Sequence, residues 1–413
     1  MTLANTRLVN LNYGVQGRFS YEIDSGRVLA DHVAPQPTPQ VLEELNRALA
    51  APLDYPPFDK AVIPSDQVVL ALDRFTPESV QLIAGTWGLL KQCGVSAEDV
   101  VILQPAALPG RTLADPRTAL PAEDRQRVRW SVHDPTDSRS CAYLATTTNG
   151  ERIYLARDVI DADVAVSIGQ TCFDPVIGFR GTNSVFYPGL SDAEAHTRAQ
   201  GLGHSELAPD DVRPMRQMID EIGWLLGTQF SIQVIPSAAG GVAHVLAGAA
   251  DSVLRRAREL LAIHWLFPVA VRPDLVVAAV DKDAAGHGWD QVSAALAAAH
   301  SLVVKGGKIL ILSELEAELS AGMKLVCESE HPSDVLQLLR ASAPNDLIAA
   351  TQLARAVEWA DVYLLSRLDS DLVEDLFAIP VRDESEAHRL LGGDETCVFL
   401  SSAQHVCGRF EGP

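Results

Sequence analysis

The stretch from Asp163 to Gly189 constrains the fold more than any other part of this sequence. Val164, Val166 and Ile168 alternate there with small or polar residues, as in a half-buried strand. The stretch then becomes a loop with several glycines and ends in a Pro-Gly pair. A strand that runs into an irregular loop is typical of the carboxyl edge of an open α/β sheet, where such folds bind their ligands. We therefore predict a site here; the alternative is a surface loop that only joins two elements.

Other apolar runs alternate with helical patterns along the chain. The predicted strands cover residues 68–72, 100–104, 128–132, 230–235, 275–280, 308–312, 324–327, 362–365 and 398–400. The predicted helices include 77–92, 242–264, 289–304 and 346–359. Strands that alternate with helices predict an α/β fold with parallel sheets and right-handed crossovers.

The length of the chain predicts two domains. A chain of 413 residues is long for one domain, and two prolines within residues 267–273 mark a boundary after which the pattern restarts. We predict an N-terminal α/β domain over 1–266 and a C-terminal α/β domain over 267–413. Each would carry a mostly parallel sheet flanked by helices, with a cleft between the domains. Residues 1–62 are predicted as an edge hairpin and a proline-rich arm.

The net charge, the cysteines and the apolar runs limit the partners and the location that we expect for this protein. The formal net charge is −21 and no basic stripe occurs, which excludes a nucleic-acid partner and requires a local positive spot for an anion. The six cysteines form no CxxC pair. No charged-then-apolar leader opens the chain, and no apolar run reaches the length of a membrane span. We expect a cytoplasmic protein with no membrane partner, and homo-oligomerisation stays open.

Polar residues follow two of the predicted strands. Asp73 and Arg74 follow residues 68–72, and Thr76 fits an N-cap before a proline at the first helical position. The unpaired amides of such a helix start can hold an anion. His133 and Asp134 end another strand; they could be an acid/base pair, or the histidine could be a structural donor in a turn.

Common cofactor motifs do not occur in the sequence. It contains no GxGxxG, no GxxxxGK[ST], no HExxH and no GxSxG. The eleven histidines are scattered singly, and no spacing forms a metal site by itself.

Five landmarks, taken in order, resemble the nickel-dependent lactate racemase family. They are LALDRFTP, GVSAEDVVILQPAALPGRT, VHDP with RIYLARDVIDADVAVSIG, GFRGTNSVFYPG, and PDLVVAAV with WDQVSAALAAAHSLVVKGGKILIL. The resemblance implies two α/β domains with an active site between them. It also implies a nickel pincer cofactor, derived from a pyridinium nucleotide and tethered to a lysine. Two histidines of the family act as acid and base on the substrate hydroxyl while hydride moves to and from the cofactor.

The chain departs from the family pattern at the residues that carry this chemistry. By the resemblance, the tethering lysine falls at Ser184 and the nickel-binding histidine at Gln200. The two catalytic histidines fall at Asp174 and Pro109, and the turn arginine falls at Thr76.

Only Asp73 and Gln291 match the family's pattern at these positions. A shift of a few residues would make His204 a candidate metal ligand. No lysine occurs between Lys91 and Lys282, so no shift restores the tether.

We therefore predict a homologue that binds or acts on a small 2-hydroxy acid or similar anion in the interdomain cleft, without the nickel pincer cofactor. If active, it would be an isomerase of the racemase or epimerase type. The candidate catalytic residues are Asp73, His133, Asp174 and His287. The candidate substrate-binding residues are Arg74, Thr76, Arg180, Ser184, Lys282 and Gln291. Two alternatives stay open: an active nickel-dependent racemase of 2-hydroxy acids that keeps the nickel pincer nucleotide, and a non-catalytic binding or interaction protein.

Overall fold

A computed structural model of the chain describes residues 6–107, 111–201, 213–227 and 230–412. Its strands, in chain order, are β1 (Thr6–Tyr13), β2 (Gly17–Asp24), β3 (Val28–His32), β4 (Val68–Leu72), β5 (Val100–Pro105), β6 (Arg129–His133), β7 (Cys141–Thr146), β8 (Arg152–Ala156), β9 (Val164–Gln170), β10 (Cys172–Asp174), β11 (Gly178–Arg180), β12 (Phe230–Pro236), β13 (Val242–Ala249), β14 (Leu266–Val269), β15 (Leu275–Ala279), β16 (Lys308–Leu312), β17 (Asp361–Leu365), β18 (Ile379–Val381), β19 (Cys397–Leu400) and β20 (Cys407–Phe410).

The α-helices between these strands are α1 (Val41–Ala50), α2 (Ser79–Gln92), α3 (Ala122–Arg127), α4 (Arg157–Asp161), α5 (Ala193–Gly201), α6 (Pro214–Leu226), α7 (Ala250–His264), α8 (Trp289–Leu302), α9 (Ala321–Cys327), α10 (Pro332–Ser342), α11 (Leu347–Trp359), α12 (Ser370–Asp375) and α13 (Glu384–Leu390). Within the described ranges, none of the helices has the length and apolar character needed to cross a membrane.

The chain folds into two compact units. The middle unit comprises Gln36–Ser237 and Gly241–Leu261; the terminal unit comprises Met1–Pro35, Ala238–Gly240 and Ala262–Pro413. The sequence predicts the first 35 residues to lie with the N-terminal domain, whereas in the structure β3 pairs in parallel with β19. This pairing joins segments far apart in the sequence, so no local pattern could reveal it. The cleft between domains stays a prediction.

A six-stranded sheet forms the centre of the middle unit, in the order β13-β12-β9-β4-β5-β6. All neighbours are parallel except β12 and β13, which form an antiparallel edge. Side chains of a strand alternate between the two faces of a sheet. Val68, Leu70 and Leu72 accordingly enter the core beneath α1 and α2, while Val69 and Ala71 enter the core on the opposite face. Burial of both faces explains why β4 is apolar at every position.

Two predicted elements are wrong in type. Residues 242–264, predicted as one helix, form strand β13 followed by helix α7. The alanines favoured a helix, but antiparallel pairing with β12 holds residues 242–249 extended. Residues 324–327, predicted as a strand, end helix α9, whose first amides at Gly322 and Met323 donate to the remote carboxylate of Asp346 at 2.8 and 3.2 Å.

The terminal unit contains an all-parallel sheet in the order β18-β17-β16-β15-β19-β3. The predicted hairpin near the start of the chain is present as β1 and β2. Its Leu11 and Phe19 are buried in one core with Val277, Leu310 and Phe399 of the sheet. Parallel β strands need both faces covered, and the hairpin contributes to this core together with α13.

Candidate functional site

The carboxyl ends of the middle-unit strands form an edge of closely packed polar groups. Asp73 follows β4, and its backbone N–H donates to the carbonyl of Ile168 at 2.7 Å. Gly169 allows this approach, because a Cβ at that position would lie only 3.2 Å from the Cβ of Asp73. On the other side of β9, the buried amide oxygen of Gln233 accepts a hydrogen bond from the hydroxyl of Thr171 at 3.2 Å. We call this region the carboxyl edge.

Asp73 begins a tight turn rather than the start of a helix. The N–H of Arg74 donates to Oδ1 of Asp73 at 2.9 Å, and the hydroxyl of Thr76 donates to the Asp73 carbonyl at 2.8 Å. Phe75 between them has a φ of +61°. Helix α2 begins only at Ser79, so Thr76 is not the helix N-cap that the sequence predicts. Its hydroxyl is instead used inside the turn.

Arg74 places a partly buried guanidinium at this edge. Burial lowers its pKa; the charge of Asp73 raises it and the charge of Arg180 lowers it further. Its Nε is buried and finds no hydrogen-bond partner within the part of the chain that the structure describes. An unpaired buried donor costs free energy, so this atom marks a place where an acceptor would bind favourably.

The loop after β9 forms a short hairpin of β10 and β11. Oδ1 of Asp174 accepts the backbone N–H groups of Val176 and Ile177 at 2.8 and 2.9 Å, and its Oδ2 lies 3.7 Å from Nε of Arg180. The Arg180 side chain is 49% exposed. Burial raises the pKa of the neighbouring Cys172 to about 12, so its thiol stays protonated near neutral pH. Asp174 therefore holds the turn, while Arg180 adds positive charge beside Arg74.

A sharp corner at Gly181 follows the hairpin. Gly181 has a φ of +120°, and its N–H donates to the hydroxyl of Ser184 at 2.9 Å. Arg216 of α6 holds the same corner from outside: its guanidinium donates to the carbonyls of Phe179 and Gly181 at 3.1 and 3.3 Å and to the hydroxyl of Thr182 at 3.1 Å. Ser184 thus serves the local fold, and Arg216 fixes the position of the loop.

His133 is fixed by the backbone rather than by Asp134. His133 is 4% exposed, and its Nε2 donates to the carbonyl of Ser191 at 2.9 Å. Oδ1 of Asp134 accepts both the hydroxyl and the N–H of Thr136, which lower the pKa of Asp134. This geometry supports the structural interpretation of the histidine over the acid/base pair.

His196 on α5 lies near Arg74 and His133 and was missing from the sequence-based candidates. Burial lowers its pKa to about 4, and the charges of Arg74 and His133 lower it further, while Asp192 and a hydrogen bond to the Gly189 carbonyl oppose the shift. Its Nε2 is buried without a hydrogen-bond partner among the described residues. The ring is therefore neutral at pH 7.

The turn after β15 contains the candidates of the terminal unit. Lys282 is exposed, and the amide oxygen of Gln291 accepts the N–H of Gly288 at 3.1 Å to cap α8. Nε2 of His287 accepts the N–H of Glu314 at 2.9 Å, so in the neutral ring the proton lies on Nδ1.

The residue before Lys282, which the sequence did not single out, is the structural centre of this turn. The Asp281 carboxylate is 5% exposed and accepts the Ala239 N–H, the Ser402 hydroxyl and the Gln404 amide, each at 2.8 Å. Asp281 therefore ties three segments of the terminal unit together.

A recess of about 1040 Å³ in the middle unit lies away from these residues. Its lining comes from α1, α2 and the segment between 57 and 60, and includes no candidate residue. The recess therefore does not coincide with the carboxyl edge. We place the candidate site at the carboxyl edge, because buried polar atoms that lack a partner among the described residues require an explanation, whereas an open groove does not.

Comparison with known proteins finds a family match over the N-terminal part of the chain. Residues 13–201 match the family model described as the lactate racemase N-terminal domain. This match covers a little under half of the chain and shows similarity to the lactate racemase family over that segment. The structure is similar to that of the lactate racemase apoprotein from Thermoanaerobacterium thermosaccharolyticum, with a TM-score of 0.80 and 18% identity over 98% of this chain and 100% of that chain.

A second solved structure is also similar to this chain. It is a structural-genomics protein from Thermotoga maritima, with a TM-score of 0.65 and 15% identity over 92% of this chain and 100% of that chain. At these identities both likenesses show the fold. No curated protein matches the chain in sequence.

The described residues do not fit the cofactor that the family resemblance implies. Ser184 stands where the tethering lysine is expected, and its hydroxyl already accepts the Gly181 N–H. Asp174 stands at a catalytic-histidine position and is bound by two backbone amides. Within the described ranges, no group of three His, Cys, Asp or Glu side chains could hold a metal ion. Pro109 and His204 lie outside those ranges.

One signal could have identified His196 from the sequence. His196 lies four residues before Gln200, the position that the resemblance gives to the nickel-binding histidine. Residues i and i+4 share one face of a helix. A histidine displaced by one turn from a family ligand position therefore belongs among the candidates.

Proposed function

We propose that this protein is a homologue of lactate racemase that binds a small 2-hydroxy acid or similar carboxylate at the carboxyl edge of the middle unit, and that it does so without the nickel pincer cofactor. The observation that carries the proposal is the buried Nε of Arg74, which has no hydrogen-bond partner among the described residues.

Arg74 has the properties of an anion-binding residue. Its only charged sequence neighbour, Asp73, uses Oδ1 for the backbone N–H of Arg74, and Arg180 adds positive charge. A charged donor that is desolvated gains most from a charged acceptor, and arginine pairs well with the planar carboxylate. In a chain with a net charge of −21, this concentration of arginine is the local positive spot that an anion requires.

The residues at the positions that carry the family's chemistry already form hydrogen bonds within the chain, which supports a binding role without the cofactor. Ser184 and Asp174 both hold the loop by hydrogen bonds to backbone amides. A serine hydroxyl cannot make the bond that a lysine makes to the cofactor, and no lysine occurs between Lys91 and Lys282.

Titration calorimetry with D- and L-lactate tests the binding site. Substitution Arg74→Gln should weaken lactate binding about tenfold or more, because it removes a charge-assisted hydrogen bond. The matched control Arg255→Gln changes an exposed arginine of the same unit and should leave the affinity unchanged. Lactate binding that is absent in the unsubstituted protein, or equal in both variants, would refute the proposal.

Metal analysis and a visible-range spectrum of the protein as purified test the cofactor. We expect neither stoichiometric nickel nor an absorbance band from a bound cofactor. Nickel together with such a band, and interconversion of D- and L-lactate on a chiral column, would instead establish the active racemase.

A further inference from the structure

We infer that the recess between α1 and α2 of the middle unit is the contact face of a homodimer, covered by the same face of a second copy of this chain. The inference concerns assembly and does not depend on the anion site proposed at the carboxyl edge.

The recess combines an apolar surface with neutral polar side chains. Leu49, Ala84 and Leu89 contribute apolar atoms to its lining, and the exposed amides of Asn46 and Gln92 belong to the same lining. An apolar centre with a polar rim is typical of the contact faces of homodimers. The volume of about 1040 Å³ exceeds the roughly 300–1,000 Å³ of pockets that enclose a small ligand, so a protein surface suits this groove better.

The same face carries both a protrusion and a hollow. Leu42 of α1 is 44% exposed and stands over Gly85 of α2, because a Cβ on Gly85 would lie only 2.7 Å from Cδ1 of Leu42. Three residues further along α2, a Cβ on Gly88 would meet no described heavy atom within 4 Å. A two-fold contact uses one patch on both copies, so the patch must complement itself. In the proposed dimer, Leu42 of each copy enters the hollow above Gly88 of the other.

The charge of the chain favours this face for contact between copies. Among the described residues that line the recess, the charged ones are Asp59 and Lys60, whose Oδ2 and Nζ atoms lie 3.2 Å apart. Their charges cancel, whereas the whole chain carries −21. Two equally acidic copies repel each other, and a face with no net charge lets them approach at the lowest cost. A basic partner protein would instead favour one of the acidic surfaces.

Sedimentation velocity of the 413-residue chain tests the assembly. We expect a dimer whose fraction rises over protein concentrations of about 1 to 100 µM, the range that covers interfaces of moderate affinity. Raising NaCl from about 50 to 500 mM should strengthen the dimer, because salt screens the repulsion between the acidic copies. A dimer that weakens with salt would be held by opposite charges on another face, and the inference would be wrong.

Two substitutions act on the protrusion and the hollow separately. Gly88→Leu fills the hollow and keeps α2 helical, since leucine favours a helix more than glycine does. Leu42→Gln removes the apolar protrusion. Each should weaken self-association about tenfold or more. The control Trp224→Gln changes an 80% exposed side chain of the same unit and should leave the dimer unchanged.

The thiol of Cys93 reports on the recess directly. Cys93 lies in the lining and is half-buried, and burial raises its pKa. Cys327 of the terminal unit is a matched control, because it is also half-buried with a pKa raised by burial. Alkylation by iodoacetamide, measured by peptide mass spectrometry, should slow at Cys93 as the protein concentration rises and stay constant at Cys327.

The outcomes decide what covers the recess. A monomer at every concentration overturns the inference, as does a dimer that both substitutions leave intact or that Trp224→Gln weakens equally. Alkylation of Cys93 at the same rate in monomer and dimer also overturns it. A monomer that carries a bound small molecule in native mass spectrometry, and loses it in Gly88→Leu, would assign the recess to that molecule instead. Circular dichroism checks that each variant is folded.

Discussion

Replacement of Arg216 by lysine should loosen the loop that carries the candidate site. Three hydrogen bonds from this guanidinium hold the corner after β11, at the carbonyls of Phe179 and Gly181 and at the hydroxyl of Thr182. Lysine keeps the charge but loses the planar fork, so one ammonium cannot reach all three acceptors. The corner is then left with acceptors that no longer have a partner.

The expected magnitude follows from these contacts. Each hydrogen bond to a charged donor is worth about 1.5 kcal/mol at the low end of the usual range, so the loss of two gives about 3 kcal/mol. The additional pair between Arg216 and Asp220 is 40% exposed at the aspartate and adds at most about 1 kcal/mol. Local opening of residues 172–184 should therefore become roughly 100-fold more frequent.

Hydrogen–deuterium exchange read by mass spectrometry measures this opening. Arg216→Lys should lose protection in peptides covering residues 172–184, with little change in β15 or β16 of the terminal unit. Asp220→Asn leaves the three loop contacts intact and should change protection no more than about fivefold. Equal, small effects in both variants would show that Arg216 does not hold the corner.

Three other perturbations test separate contacts. Gly181→Ala should destabilise the protein by about 2 kcal/mol or more in urea unfolding, because it combines a positive φ with a Cβ placed 2.5 Å from Oγ1 of Thr171. Asp281→Ala leaves three donors without their acceptor, of which the Ser402 hydroxyl is buried, and should cost about 3 kcal/mol, whereas the exposed control Asp394→Ala should change stability by less than about 0.5 kcal/mol. The pKa of His196 is 6.5 in the unfolded chain and about 4 in the folded protein, so the neutral ring contributes its full stability above pH 6.5 and loses it progressively down to pH 4. Replacing His196 with asparagine should remove up to about 3 kcal/mol of the stability difference between pH 7 and pH 4. Unchanged pH profiles of stability would contradict the burial of the ring.

Local patterns were enough to predict the α/β class and most strands. The runs at β4, β5, β12, β15 and β16 are apolar at nearly every position because both faces of a parallel sheet are covered. The failures share one cause: the pattern within a stretch does not show which strand pairs with it. Residues 242–249 are extended because β12 pairs with them, and β3 belongs to the terminal unit because β19 pairs with it.

The candidate site could likewise be predicted only in part from the sequence. Asp73 and Arg74 were accessible to sequence reasoning, because the end of a buried strand is a recognisable position. Their surroundings were not, since His196 and Arg216 reach this edge from helices more than a hundred residues later in the chain. The uses of Ser184 and Gln291 as caps also depend on backbone geometry, which residue type alone does not fix.

The acidity of the chain and its proposed anion site are compatible because they act over different distances. A net charge of −21 repels an approaching carboxylate, but salt screens exposed charges beyond about 8 Å at physiological ionic strength. At the proposed site, the partly buried guanidinium of Arg74 is screened less than an exposed charge, so its interaction with the proposed anion would be stronger. If the proposal holds, the overall charge acts mainly on the rate of association, whereas the residence time of the ligand depends on its contacts at Arg74.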